Sequence, residues 1–174
     1  MQHFPILVDV DGRDVVIVGG SEKALQKLRL VANTSARIRV VAETVSDDIA
    51  SLALSSALVL ERRSFTTSDV AGAAIVFAAS DDPKLDLAVA AAAKAQGIPV
   101  NVVDAPRASS FIVPAIVERD PVVVAIGTEG AAPILAREIK STIEAWLPAR
   151  IGQIAQRVRA LRQRVPAPEV IVCR

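Results

Sequence analysis

Short runs of β-branched hydrophobic residues alternate along this chain with longer segments of mixed composition. The first run, residues 14–18, ends in Gly19 and Gly20 and is followed by a segment of helical composition, residues 21–31. A second apolar run, residues 38–42, completes a strand, helix, strand unit. Two strands joined in this way are typically parallel, with a right-handed crossover.

The same alternation continues as far as residue 103. It predicts a helix near 45–54, a short strand near 58–60, a strand at 74–79, an alanine-rich helix at 83–96 and a strand at 99–103. This order predicts the α/β class, with a Rossmann-type open parallel sheet. The ligand crevice of such a sheet lies outside the carboxyl ends of its strands.

After Asp104 the pattern changes. Residues 110–113 and 121–126 read as strands of a hairpin-like extension, because the segment between them leaves no room for a crossover helix. Helices are predicted at 132–146, with Pro133 at its start, and at 148–164. The second helix carries an apolar stripe that needs a partner, formed by Ile151, Ile154, Val158 and Leu161. Residues 165–170 are predicted to be extended.

Composition narrows the functional classes. Lys and Arg total 20 against 19 Asp and Glu, and aromatic residues make up 3% of the 174 positions. Neither value suits a general nucleic-acid binder. Residues 148–174 hold six arginines and one glutamate, which fits either a solvated helix face or a site for an anionic partner.

The single cysteine, Cys173, excludes an internal disulfide and a multi-cysteine metal site, so a reducing compartment is expected. The chain has neither a signal-peptide pattern at its start nor an apolar run long enough for a membrane span. We therefore expect a cytoplasmic protein with no membrane partner.

The turn after the first strand resembles a dinucleotide fingerprint. Gly19 and Gly20 suit a tight turn with close backbone approach to a pyrophosphate, and Ala24 allows the helix to pack on the sheet. Ser21 stands where glycine is usual, so its side chain must point aside. Its hydroxyl is able to donate to a phosphate at the helix start.

An acidic residue, Glu43, directly follows the second predicted strand. In a dinucleotide site this position accepts hydrogen bonds from the adenosine ribose, which favours NAD over NADP because a 2′-phosphate would meet a carboxylate. The alternative is that Glu43 caps the helix beginning near Val45, a role that Thr44 or Ser46 would serve equally well.

An ordered set of motifs extends this picture. Residues 16–24 (VIVGGSEKA), 78–82 (AASDD), 101–106 (NVVDAP), 110–114 (SFIVP) and 124–137 (VAIGTEGAAPILAR) resemble the precorrin-2 dehydrogenase and sirohydrochlorin ferrochelatase family, the N-terminal module of siroheme synthase. The resemblance covers about residues 4–162. It implies NAD-dependent oxidation of precorrin-2 to sirohydrochlorin, with chelation of ferrous iron as a secondary hypothesis.

The resemblance also implies an organisation and a set of site residues. Residues 1–113 would form the NAD-binding domain, and residues 114–174 a dimerisation region and helical extension that makes the chain a homodimer. The cofactor contacts carried over are Gly19, Gly20, Ser21, Glu22, Lys23, Glu43, Thr44, Ala79, Ser80 and Asp81. The substrate-binding candidates are Asn101, Ser110, Thr128 and Arg137, and no resident metal is expected. The chain ends soon after Arg164, so the methyltransferase half of the fused enzyme is not expected here.

Asp104 matches the family's essential aspartate. Oxidation of precorrin-2 removes a hydride and a proton, so the site needs one proton acceptor near the cofactor. Asp104 follows the strand at 99–103, and partial burial among Val103, Ala105 and Pro106 would strengthen it as a base. Judged by its neighbours alone, an aspartate before a small residue and Pro106 is more often a turn former. A non-catalytic NAD-sensing or dimerisation module therefore remains an alternative.

Overall fold

A computed structural model describes residues 1–55 and 58–164 of the chain. It divides into two compact units, Met1–Ile112 and Val113–Arg174. The predicted tail at 165–170 and Cys173 lie outside the described residues. None of the helices described is both long and apolar enough to cross a bilayer.

The first unit is the predicted α/β sheet. Its elements are β1 (Asp14–Val18), α1 (Glu22–Val31), β2 (Arg37–Val41), α2 (Asp47–Ser55), β3 (Leu58–Glu61), a short 3₁₀ helix (Thr67–Val70), β4 (Ile75–Ala78), α3 (Pro83–Ala95) and β5 (Val100–Val102). All five strands are parallel, in the order β3-β2-β1-β4-β5. The predicted Rossmann-type fold is confirmed.

The core of this unit lies on both faces of the sheet. Residues 15–18 of the central strand are at most 1% exposed, which explains why β1 reads as a continuous apolar run. Helix α3 packs against the sheet through Val89, Ala90 and Ala93. Its alanines let the helix backbone approach closely, and Asp82 caps its start by accepting a hydrogen bond from Lys84 N at 2.8 Å.

The second unit contains an antiparallel hairpin and two helices. Strands β6 (Ala115–Arg119) and β7 (Val122–Ile126) form the hairpin, followed by α4 (Pro133–Trp146) and α5 (Arg150–Arg164). Arg119 donates to the carbonyl oxygens of Leu147 (3.2 Å) and Glu144 (3.1 Å), which fixes the end of α4 to the hairpin. A Cβ on Gly152 would lie 2.3 Å from the Asp120 carbonyl oxygen, so only glycine lets α5 approach this turn.

The first predicted hairpin strand is wrong. Residues 110–113 are not a strand, and the strand that pairs with β7 begins at Ala115. Ser110 Oγ accepts from Val100 N at 2.8 Å, and Ser109 Oγ accepts from Val102 N at 2.9 Å. The two hydroxyls thus bind the outer edge of β5 where another strand would otherwise pair.

Candidate functional site

The glycine turn between β1 and α1 is in direct contact with two neighbouring loops. A Cβ on Gly19, whose φ is +134°, would lie 2.2 Å from the carbonyl oxygen of Ala79. A Cβ on Gly20 would lie 1.9 Å from the carbonyl oxygen of Thr44. Any other residue would push these loops apart. The two glycines therefore bring together the chain segments that follow β1, β2 and β4.

Helix α1 begins at this turn with Ser21 as its N-cap residue, but the serine side chain makes no capping bond. Ser21 Oγ is shielded from solvent and has no hydrogen-bond partner within the described part of the chain. A buried polar group without a partner is costly, and the helix start carries a partial positive charge. A phosphate oxygen would supply the missing partner, so this turn fits the pyrophosphate of a dinucleotide.

Glu43 lies beyond the end of β2 with an exposed side chain. The helix-capping alternative does not hold, because α2 begins only at Asp47 and Ser46 Oγ accepts from Ile49 N at 3.4 Å. Instead, Ser64 Oγ donates a hydrogen bond to Glu43 Oε1. Ser64 was not predicted from the sequence. The available signal is that it follows β3, the strand that neighbours β2 in the sheet.

Ser64 is anchored by a network of charged side chains. Arg63 donates to the carbonyl oxygen of Ser64 (3.0 Å) and forms ion pairs with Glu61 and Asp69. Arg39 of β2 joins the network through Glu61 at 2.7 Å. The Arg63 guanidinium holds the pKa of the buried Asp69 carboxyl down, at about 2. The loop that carries Ser64, and with it the orientation of Glu43, is therefore fixed.

A buried aspartate orders the loop after β4. Asp86 Oδ1 accepts from both the backbone N (3.0 Å) and the hydroxyl (2.7 Å) of Ser80. Asp86 is 6% exposed and was not predicted from the sequence as a site residue. Its position in the first turn of α3 was the available signal. Ser80 is thus buried and hydrogen-bonded within the protein, whereas the neighbouring Asp81 is exposed.

Asp104 lies in the turn after β5, in the left-handed conformation with φ of +61°. The expected partial burial is wrong, because its side chain is 74% exposed. Lys23 Nζ lies 3.1 Å from Asp104 Oδ2, and this hydrogen bond raises the pKa of Lys23. Asp104 is therefore a turn residue whose carboxylate also faces the start of α1.

The four substrate-binding candidates have different surroundings. Asn101 is buried and its Nδ2 donates to the Phe111 carbonyl oxygen (3.0 Å), while Ser110 binds the β5 backbone. Thr128 and Arg137 belong to the second unit, where Thr128 Oγ1 accepts from Ala132 N at 3.4 Å. Their roles remain predictions. Within residues 1–55 and 58–164, no cluster of three or more His, Cys, Asp or Glu side chains suits a metal ion.

Comparison with known proteins agrees with this geometry. A family model described as putative NAD(P)-binding matches residues 6–115. The chain belongs to this family. The predicted nicotinamide cofactor is thereby confirmed at the level of NAD(P).

Similar proteins carry more specific names. A siroheme synthase of Ectopseudomonas mendocina (strain ymp) is 46% identical over 165 residues, which cover 95% of this chain and 35% of that protein. A siroheme synthase of Pseudomonas aeruginosa (strain UCBPP-PA14) is 44% identical over 95% of this chain and 36% of its own length. This chain thus spans about a third of these relatives.

A solved structure, SirC, precorrin-2 dehydrogenase, superposes with a TM-score of 0.72 at 25% identity, covering 96% of this chain and 84% of that one. The family resemblance predicted from the sequence motifs is confirmed by this structure and by the siroheme synthase relatives.

Proposed function

We propose that this chain oxidises precorrin-2 to sirohydrochlorin with NAD, as a cytoplasmic dehydrogenase of siroheme synthesis. The observation that carries the proposal is the 3.1 Å contact between Lys23 at the nucleotide-binding turn and the Asp104 carboxylate. The contact joins a carboxylate that could accept a proton to the start of α1, at the carboxyl edge of the sheet where ligands of open α/β sheets bind. The names of the siroheme synthase relatives and of SirC support the choice of substrate.

Each group at this edge has a role in the proposal. The glycine turn and the Ser21 hydroxyl bind the pyrophosphate, and Glu43 accepts hydrogen bonds from the adenosine ribose. Bound NAD supplies the hydride acceptor. Asp104 takes up the proton that is released when the hydride is removed, and its exposed position gives a large substrate access to the carboxylate.

The second unit would serve substrate binding and assembly. Precorrin-2 is rich in carboxylates, and Arg137 on α4 presents an exposed guanidinium that suits them. Thr128 would add a hydroxyl before the same helix. Replacing Arg137 with glutamine in the turnover assay tests the first assignment, and replacing Thr128 with valine tests the second.

An absorbance assay for sirohydrochlorin tests the central proposal. Purified protein given precorrin-2 should form sirohydrochlorin with NAD and none without it. Binding of NAD with no oxidation of precorrin-2 would instead favour the NAD-sensing alternative. The same assay with ferrous iron added tests for chelation.

Cofactor choice gives a first prediction. Replacing Glu43 by alanine should weaken NAD binding by about tenfold, since a hydrogen bond to a charged group contributes about 1.5–3 kcal/mol. Ser64→Ala should cause a smaller loss, because it frees the Glu43 carboxylate without removing it. Calorimetric titration with NAD and NADP measures both. Glu118→Ala, which removes an exposed acid from β6, is the control. Equal affinity of the native protein for NAD and NADP would contradict the assignment of Glu43 to the adenosine ribose.

A homodimer is the second prediction. Ile154, Val158 and Leu161 of α5 are each about half exposed or more, and Trp146 is 78% exposed. Apolar side chains in such a continuous stripe favour association with a second copy. Light scattering should give twice the chain mass at micromolar concentration, and Leu161→Glu should give the monomer. Gln163→Glu on the other side of α5 should leave the dimer intact, and a native monomer would refute the proposal.

A further inference from the structure

Lys23 occupies a position that is unfavourable for a cation. It is the second residue of α1, where the first backbone N–H groups give the helix a partial positive charge. Acidic residues are favoured at this end of a helix, as Glu22 illustrates. Another interaction must therefore offset the repulsion between the lysine ammonium and the helix start.

The compensation comes from Asp104. The hydrogen bond from Lys23 to this carboxylate is the largest influence that raises the pKa of Lys23, and the charges of Asp81 and Asp86 add to it. The Lys23 side chain is 39% exposed, so solvent screens the pair and its contribution to stability is small. The contact therefore serves orientation more than stability.

Asp104 has a corresponding need for a partner. Its backbone is in the left-handed region, which costs an aspartate some strain, and its side chain is 74% exposed. An exposed carboxylate samples several rotamers unless a partner holds it. Among the described residues, Lys23 is the ion-pair partner within reach.

A second lysine, Lys27, lies on the same face of α1 and also experiences the charge of Asp104. Lys27 lies one turn after Lys23, half-buried, with its amine 5.8 Å from the centre of the Phe77 ring. Burial lowers the pKa of Lys27, and the charge of Asp104 opposes that shift. The charge of Asp104 thus favours the protonated form of both lysines, but its ion pair is with Lys23.

We propose that Lys23 is a positioning residue that holds the Asp104 carboxylate beside the nucleotide-binding turn, and that it is not itself a phosphate ligand. The assignment rests on the proposed function for its catalytic consequence. It predicts that Lys23 affects turnover through Asp104 and leaves NAD affinity unchanged. A phosphate ligand would behave in the opposite way.

An NMR titration tests the contact without substrate. Lysine amines labelled by reductive ¹³C-methylation report the pKa of Lys23 in the native protein and in Asp104→Asn. The pKa of Lys23 should fall in the variant, because its largest stabilising partner is lost. An unchanged pKa would overturn the proposal.

Kinetics and binding test the consequence. Lys23→Met should lower kcat by about tenfold through misplacement of the base, with the calorimetric Kd for NAD unchanged. Lys23→Arg should recover most of the activity, because arginine keeps the charge and the donors. Lys94→Met, which removes an exposed lysine from α3, is the matched control and should behave as the native protein.

A double variant separates the remaining outcomes. In an Asp104→Asn background, Lys23→Met should lower kcat little further, since both changes remove the same interaction. A weakened NAD Kd with kcat unchanged would show a phosphate ligand and overturn the positioning role. If the native protein forms no sirohydrochlorin, the proposed function and the catalytic consequence both fail, while the NMR titration still decides whether Asp104 holds Lys23.

Discussion

Replacing Gly19 by alanine is expected to lower the free energy of unfolding by about 3 kcal/mol or more, from left-handed strain and steric overlap together. The new Cβ would lie 2.2 Å from the Ala79 carbonyl oxygen, and the φ of +134° is one that alanine rarely adopts. The loop after β4 must then move away from the turn. Urea denaturation measures the stability loss, and calorimetry should show NAD binding weakened by about tenfold or more.

Two other glycines separate the causes of this loss. Gly72 also has a positive φ, +72°, but a Cβ there would meet nothing within 4 Å, so Gly72→Ala should cost about 1 kcal/mol and leave NAD binding unchanged. Gly20→Ala tests the overlap alone, because its Cβ would lie 1.9 Å from the Thr44 carbonyl oxygen. Equal effects at Gly19 and Gly72 would show that the contacts between the turn and its neighbouring loops are unimportant.

The sheet is largely predictable from the sequence because its central strands are buried on both faces. Residues 15–18 pack on helices above and below, and this requires the uninterrupted apolar run that identifies β1. Residues 110–113 have a similar apolar composition but are not a strand. There the outcome depends on the hydroxyls of Ser109 and Ser110 binding the β5 backbone, which no local periodicity encodes.

In the candidate site, too, some residues are predictable from the sequence pattern and others depend on tertiary contacts. Glu43 and Asp104 are found by their positions after strands, since parallel strands end at a common edge. Their partners, Ser64 and Lys23, are distant in the sequence. Ser64 is brought near Glu43 by the order of strands in the sheet, and Lys23 reaches Asp104 from the start of α1. The buried role of Asp86 was not predicted, because an acidic residue in the first turn of a helix is ordinarily exposed to solvent.

The exposure of Asp104 bears on its proposed role as a base. Burial does not activate it, because the side chain is 74% exposed. Its suitability for the proposed role comes from position: the carboxylate lies beside the start of α1, which follows the glycine turn, and the left-handed turn after β5 presents it at the sheet edge. A carboxylate in this setting contributes through orientation relative to cofactor and substrate.

Asp104→Asn should therefore bind NAD normally yet lose about two to four orders of magnitude in precorrin-2 oxidation, the usual contribution of a positioned general base. Asparagine keeps the size of the side chain and adopts the left-handed conformation as readily as aspartate, so the turn is preserved. Single-turnover kinetics with saturating NAD measure the chemical step directly. Asp11→Asn, which neutralises an exposed aspartate near the amino terminus, is the matched control and should react at the native rate. If Asp104 served only to form the turn, asparagine would replace it without loss, and near-native turnover by a folded, NAD-binding variant would refute the catalytic role.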